Sequence, residues 1–189
     1  MENVLVVSGT DKGKTFLQEL LREHAVEKIA AADNGGEARR LLLENDYDLV
    51  VINAPLKDES GERLAITVAK KTESGVLLIV KSDFADQVAE KVEDYGVMVV
   101  EKPLGRQIFY QALKMVLAAR KRMQGLKNEN AKLQRQIEDI RMVSRAKCAL
   151  IEYGNYTEQE AHRYLEKAAM DERKTKRQVA EEILRIYES

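Results

Sequence analysis

The segment DLVVINAPL, residues 48–56, is a short apolar run that ends on Asn53 and is closed by Pro55. Its apolar residues are consecutive rather than alternate, which is typical of a strand covered on both faces. Four similar runs, NVLVV, KIAAA, VLLIV and VMVV, lie in the first hundred residues. Helical patterns separate these runs, so the sequence predicts an α/β fold with a five-stranded parallel sheet and helices on both sides.

The carboxyl ends of parallel strands meet at one edge of a sheet, where functional residues are expected. The residues at these strand tips are Ser8, Gly9, Asn53, Lys81 and Lys102. Together with the Glu-Lys-Pro segment at residues 101–103, the pattern over residues 1–118 resembles the flavodoxin-like receiver domain of bacterial response regulators. The resemblance places Asn53 where that family carries its phosphate-accepting aspartate.

The resemblance also implies that this receiver has lost its phosphorylation chemistry. Ser8 and Gly9 replace the acidic pair that would hold Mg²⁺, a cation that prefers carboxylate oxygens. Lys81 stands where the family has a residue with a hydroxyl group. Of the residues that carry out phosphorylation in that family, only Lys102 is retained. We expect a folded dimerisation or docking module. The alternative is that Lys81 and Lys102 bind a small anion or form a hydrogen-bonded cluster with Asn53.

Composition and charge limit the class of protein. The chain of 189 residues has 15 basic and 20 acidic residues up to Ala119, and 16 against 12 from Arg120 onward, so its C-terminal part is the one suited to an anionic partner. The single cysteine, Cys148, predicts no internal disulfide, and no Cys/His spacing predicts a metal site or another cofactor. No basic leader or long apolar segment occurs. A cytoplasmic protein without a membrane span is expected.

A long helical pattern follows Pro103, and residues 119–145 are predicted to form a coiled-coil linker. The heptad begins with Val116 at position a and Ala119 at position d. The residues expected to form the dimer seam are Met123, Leu126, Asn130, Leu133, Ile137 and Ile140. Leucine at d with one asparagine at a is typical of a parallel two-stranded coil. The alternative is a single amphipathic helix that packs back on the receiver.

The C-terminal part, residues 146–189, is predicted to form a three-helix bundle whose first helix continues the coil. Thr157 with Glu160, and Thr175 with Gln178, have the spacing of capping boxes that start the second and third helices. Gly154 with Asn155 is a typical end of the first helix. Small apolar residues in each helix permit close packing.

The segments RAKCALIEY, TEQEAHRYLEKAAM and RQVAEEIL, within residues 139–188, resemble the ANTAR domain, an RNA-binding antiterminator module. The resemblance implies binding to two stem-loops in nascent mRNA, which prevents formation of a terminator. The candidate RNA-binding residues are Arg141, Arg145, Lys147, Arg163, Tyr164, Lys167, Arg173, Lys174, Lys176 and Arg177. Cations hold phosphates, and aromatic rings stack on unpaired bases.

The sequence contains no glycine-rich phosphate loop, nucleophile elbow or metal-ligand spacing, so an enzyme is not predicted. The combined interpretation is a dimeric antiterminator that binds paired stem-loops and is regulated without receiver phosphorylation; a regulatory protein partner is one candidate for the signal. One alternative is a DNA-binding response regulator, although the last helix, VAEEILRIYE, is acidic on part of its surface. Another is a protein-interaction adaptor that binds no nucleic acid.

Overall fold

The computed structural model describes residues 3–24 and 26–187. The chain divides into two compact units, residues 1–124 and 125–189. The division falls within the segment predicted as a linker.

The first unit contains the predicted sheet. Its strands are β1 (Asn3–Ser8), β2 (Lys28–Ala32), β3 (Leu49–Asn53), β4 (Gly75–Lys81) and β5 (Met98–Lys102). All neighbouring strands are parallel, in the order β2-β1-β3-β4-β5. The register pairs Ser8 with Asn53, and Lys81 with Lys102. The five-stranded parallel fold predicted from the apolar runs is therefore confirmed.

The helices lie between and after the strands. They are α1 (Asp11–Arg22), α2 (Gly35–Glu44), α3 (Glu62–Lys71), α4 (Ala85–Val92), α5 (Arg106–Gly154), α6 (Glu158–Asp171) and α7 (Lys176–Tyr187). Short 3₁₀ turns precede and follow α4.

Two apolar layers cover the two faces of the sheet. Val4 and Val6 belong to one layer together with Phe109 from α5, while Leu5 and Val7 belong to the other. Successive side chains of a strand point to opposite faces, and both faces are covered here. This double coverage explains why the strands are continuous apolar runs.

The start of α5 belongs to the core of the first unit. Phe109, Ala112, Leu113 and Val116 are buried there. The assignment of Val116 to position a of the coiled-coil seam was therefore wrong, because its side chain packs under the sheet. Four residues later, Arg120 pairs with Asp48 at 2.9 Å and donates from Nε to the carbonyl oxygen of Glu73 at 2.8 Å.

Beyond this attachment, α5 continues as one helix to Gly154, as predicted. The predicted seam residues are all exposed in the single chain: Met123, Leu126, Asn130, Leu133, Ile137 and Ile140. Five of them are apolar. A coiled coil buries apolar side chains of this kind against a second helix.

The second unit closes as a three-helix bundle of α6, α7 and the last turns of α5. Its core consists of Ala146, Ala149, Leu150, Ala161, Leu165, Val179, Ala180, Ile183 and Leu184. Both predicted capping boxes are present. The Thr157 amide donates to the Glu160 carboxylate at 2.8 Å, and the Thr175 amide donates to Gln178 Oε1 at 2.9 Å. Asn155, at φ +55°, ends α5 in the predicted place.

Candidate functional site

The first group of candidate residues lies at the strand tips of the first unit. Asn53 Nδ2 donates to Ser8 Oγ at 3.0 Å, and the Ser8 hydroxyl donates to the carbonyl oxygen of Thr10 at 3.3 Å. Ser8 is completely buried. A methyl group at Gly13 would lie 2.5 Å from Asn53 Nδ2 and 2.6 Å from Ser8 Oγ. The amide is thus held as a structural partner of Ser8, under the first turn of α1.

The lysine that follows the last strand is also held by the backbone. Lys102 Nζ donates to the carbonyl oxygen of Ala54 at 2.5 Å and so ties β5 to the loop after β3. Burial, and then the nearby charge of Lys81, lower the pKa of Lys102. The hydroxyl of Ser82 donates to the Glu101 carboxylate at 2.6 Å. In the predicted alternative, the two lysines form a hydrogen-bonded cluster with Asn53. In the structure, Lys102 donates to the carbonyl oxygen of Ala54.

The acidic side chains near this edge have structural partners. The Asp58 carboxylate accepts from the Gly35 and Gly36 amides at 2.9 and 3.0 Å, and these donors lower its pKa. Asp33 pairs with Lys14, which is the main cause of its lowered pKa, and with Lys57 at 3.4 Å. Over residues 3–24 and 26–187, no group of three His, Cys, Asp or Glu side chains is placed to hold a metal ion.

The second group of candidate residues lies on the C-terminal bundle, and several of its cations are already paired. Lys174 contacts Glu172 at 2.6 Å and Glu182 at 2.7 Å, while Lys176 contacts Glu166 at 2.7 Å. The hydrogen bond from Lys176 lowers the pKa of Glu166.

Two further cations connect the helices of the bundle. Arg177 bridges Asp139 of α5, at 2.8 Å, and Glu181 of its own helix, at 2.9 Å. Lys147 lies 3.7 Å from Glu158. These contacts join α5, α6 and α7, so the paired cations contribute to the architecture of the bundle.

Other cations have no such partner. Arg163 and Lys167 are exposed one turn apart on α6, and Arg141 on α5 and Arg173 before α7 are exposed as well. In the described part of the chain none of the four is held in a salt bridge, although the charge of Arg163 contributes, after the hydrogen bonds from Thr157, to the lowered pKa of Glu160. Tyr164 lies between the two α6 cations in the sequence. Its ring packs edge-on against Tyr156, with 5.6 Å between centroids. The outer face of α6 therefore combines two available cations with an aromatic ring.

The ANTAR domain family model matches residues 131–184. "Transcriptional regulatory protein PdtaR" of Mycobacterium tuberculosis strain H37Rv is 30% identical over 169 residues, which cover 89% of this chain and 82% of that protein. The protein of the same name from strain CDC 1551 gives the same values. This chain belongs to the ANTAR-domain response regulators.

Solved structures similar to this ANTAR response regulator match its receiver fold. A two-component response regulator from Clostridium difficile aligns with a TM-score of 0.56 and 24% identity, over 62% of this chain and 97% of that one. The receiver domain of an HD domain-containing protein from Pseudomonas fluorescens Pf-5 aligns with a TM-score of 0.59 and 20% identity, over 66% of this chain and 92% of that one. At these identities the likeness concerns the fold alone.

The ANTAR match begins at residue 131, earlier than the residue 146 predicted as the domain boundary. Residues 131–145 therefore belong both to the predicted coil and to the matched domain. The seam residues Leu133, Ile137 and Ile140 lie in this shared stretch, as do the candidate cations Arg141 and Arg145. Residues 131–145 of α5 in this ANTAR regulator are thus predicted both to form part of the dimer seam and to bind RNA.

Local sequence patterns do not indicate which cations of the ANTAR bundle are paired. The contact between Arg177 and Glu181 could have been inferred from their spacing of four residues on a helix. The contacts of Arg177 with Asp139, and of Lys176 with Glu166, join residues far apart in the sequence.

Within the described ranges, no helix of this ANTAR regulator is both long and apolar enough to cross a bilayer.

Proposed function

We propose that this ANTAR response regulator is a dimeric transcription antiterminator of the cytoplasm, which binds paired stem-loops in nascent mRNA and is regulated independently of receiver phosphorylation. The observation that carries the proposal is the outer face of α6, where Arg163, Tyr164 and Lys167 are all exposed and neither cation is held in a salt bridge in the described part of the chain. The similarity to the transcriptional regulatory protein PdtaR supports it.

The chemistry of this face matches an RNA stem-loop. Unpaired cations can contact phosphates without first breaking an internal ion pair, and an exposed aromatic ring can stack on a base that is unpaired in a loop. Lys174, Lys176 and Arg177 would have to leave their carboxylates to do the same. We therefore assign the first RNA contacts to Arg163, Tyr164 and Lys167. Arg141, Arg145, Lys147 and Arg173 remain candidates.

The proposed dimer forms through a parallel coiled coil along the exposed seam of α5. Water-exposed leucine and isoleucine side chains on one helix stripe gain free energy when a second copy covers them. Two linked bundles can then engage two stem-loops, so that the second contact forms at a high effective concentration. In this proposal residues 1–118 are the receiver-like domain, residues 119–145 the linker and residues 146–189 the RNA-binding domain.

Signal reception in this proposal does not use an acyl phosphate. Position 53 offers an amide that already donates to Ser8, and the positions expected to hold Mg²⁺ are Ser8 and Gly9. A carboxylate nucleophile and carboxylate ligands for the cation are both lacking there. The receiver would instead report a signal through a protein partner that binds it.

The function is tested by filter binding of the full chain to a library of two-hairpin RNAs with randomised loops, and to matched one-hairpin RNA and duplex DNA. We expect retention of a subset of two-hairpin RNAs that persists as salt rises. Equal and steeply salt-dependent binding to all three probes would indicate only a cationic surface. Preference for the duplex would favour a DNA-binding regulator, and no binding at any salt would favour a protein adaptor.

A charge-removal series should separate RNA contacts from structural ion pairs. Arg163→Ala and Lys167→Ala should each weaken RNA binding and lower the salt slope by about one, as expected for one lost phosphate contact, with an unchanged melting temperature. Lys176→Ala is the matched control, since Lys176 is bound to Glu166. It should lower the melting temperature with a smaller loss of RNA affinity. The reverse ranking would contradict the assignment.

Incubation with acetyl phosphate and Mg²⁺ should leave the mass of the protein unchanged. The physical reason is the amide at position 53 and the lack of carboxylates at positions 8 and 9. Intact-mass spectrometry provides the measurement, and a receiver that retains its aspartate serves as the positive control. A gain of one phosphoryl group on this chain would show that the proposed mode of regulation is wrong.

A further inference from the structure

Four of the seven tyrosines of the chain lie close together in the C-terminal unit. Tyr153 and Tyr187 are stacked, with ring centroids 6.0 Å apart and an interplanar angle of 18°. Tyr156 and Tyr164 form the edge-on pair described above. A side-chain carbon at Gly154 would lie 2.9 Å from the Tyr156 ring and 3.3 Å from the Tyr187 hydroxyl oxygen. The two pairs therefore adjoin at Gly154, and we call these four residues the tyrosine cluster.

The cluster has an inner and an outer part. Tyr156 and Tyr187 are partly buried and pack against the core of the bundle. Tyr153 is 58% exposed and Tyr164 is 43% exposed. The inner rings have a packing role that accounts for their presence, whereas much of the surface of the outer rings faces solvent. The outer ring of Tyr153 is thus held by Tyr187, and the outer ring of Tyr164 by Tyr156.

The charges around the cluster indicate which part of a nucleic acid fits there. The carboxylates of Glu158 and Glu160 occupy the first turn of α6, directly after Tyr156. Lys147 at 3.7 Å balances part of the charge of Glu158, whereas Glu160 disfavours a phosphate over this end of the bundle, because like charges repel. Arg163 and Lys167 lie further along α6 and are exposed, and the charge of Arg163 partly offsets that of Glu160. The arrangement suits an uncharged planar group on the rings and a phosphate beside them.

We propose that the tyrosine cluster is a stacking site for unpaired nucleobases of an RNA hairpin loop, with one base on the outer ring Tyr153 and a neighbouring base on Tyr164. The proposal rests on the proposed function of RNA binding and specifies the part of the RNA that this surface contacts. Loop bases have free π-faces, and stacking on an aromatic side chain tolerates any base. A tyrosine side chain that already packs on a second ring has little conformational freedom, so it loses little entropy when a base stacks on it.

The test uses a two-hairpin RNA selected by the wild-type full chain from the randomised-loop library. Its affinity is measured for wild type, Tyr153→Leu and Tyr164→Leu, with Tyr153→Phe and Tyr164→Phe as matched controls that keep the ring. Each leucine variant should bind about tenfold more weakly, the order of effect of one lost stacking contact, and each phenylalanine variant should bind like wild type. Melting temperatures establish that the variants are folded.

A direct readout comes from 2-aminopurine placed in turn at each loop position of the selected RNA. Stacking quenches this fluorescent base, so the wild type should quench it at one or two positions, and Tyr153→Leu should remove the quenching at one of them. If the wild type binds the RNA but the leucine variants bind equally well and quench equally, the stacking site is wrong and the proposed function stands. If the wild type selects no RNA, both proposals are wrong.

Discussion

Replacing Leu133 with glutamate should convert the protein from a dimer to a monomer and weaken its binding to two-hairpin RNA by about 10²-fold, the gain that linked binding modules typically provide. Leu133 occupies position d of the proposed seam and is 53% exposed in the single chain. In a parallel dimer the two glutamates would face each other across the axis. The substitution removes apolar contact and introduces charge repulsion at the same point.

Sedimentation velocity at micromolar concentration measures the first effect, and filter binding measures the second. Asn128→Glu is the matched control, because it changes the charge equally at position f, on the side of the helix away from the seam. It should remain dimeric. Since Leu133 lies outside the cores of both units, both units of Leu133→Glu should remain folded as a monomer. A Leu133→Glu protein that sediments like wild type would refute the proposed seam.

Replacing Leu165 with alanine should unfold the C-terminal bundle and abolish RNA binding. Leu165 is 1% exposed and lies in a core of nine buried residues, four of which are alanines. Truncation of a buried leucine costs about 2–5 kcal/mol, because apolar contact is lost and a cavity remains. A bundle of this size has a small free energy of unfolding, and the loss caused by the substitution is comparable to all of it.

Hydrogen exchange locates this effect within the chain. The amides of α6 and α7 should lose protection in Leu165→Ala, while the amides of β1 and β3 should keep theirs, because the two units have separate cores. Met170→Ala is the control on the same helix, since Met170 is 79% exposed. It should change neither exchange nor RNA binding. Equal protection in both variants would mean that Leu165 contributes little to the bundle.

The candidate sites were predictable to different degrees. Asn53 was expected beside Ser8 and Gly9 because parallel strands bring their tips together, and the register does pair Asn53 with Ser8. The hydrogen bond between them and the close approach of Gly13 depend on side-chain packing, which no sequence pattern encodes. In the bundle, the basic residues were foreseen, but their division into paired and unpaired cations was not.

The sequence by itself determined the elements and their ends. Consecutive apolar residues marked strands covered on both faces, and the pairs Thr157–Glu160 and Thr175–Gln178 marked helix starts, because these signals act within a few residues of the chain. Only the tertiary structure decided that Val116 belongs to the sheet core, that Arg177 is bound to Asp139, and that four tyrosines adjoin at Gly154. These contacts join residues from different elements, and they arise from the way the helices pack rather than from any local spacing.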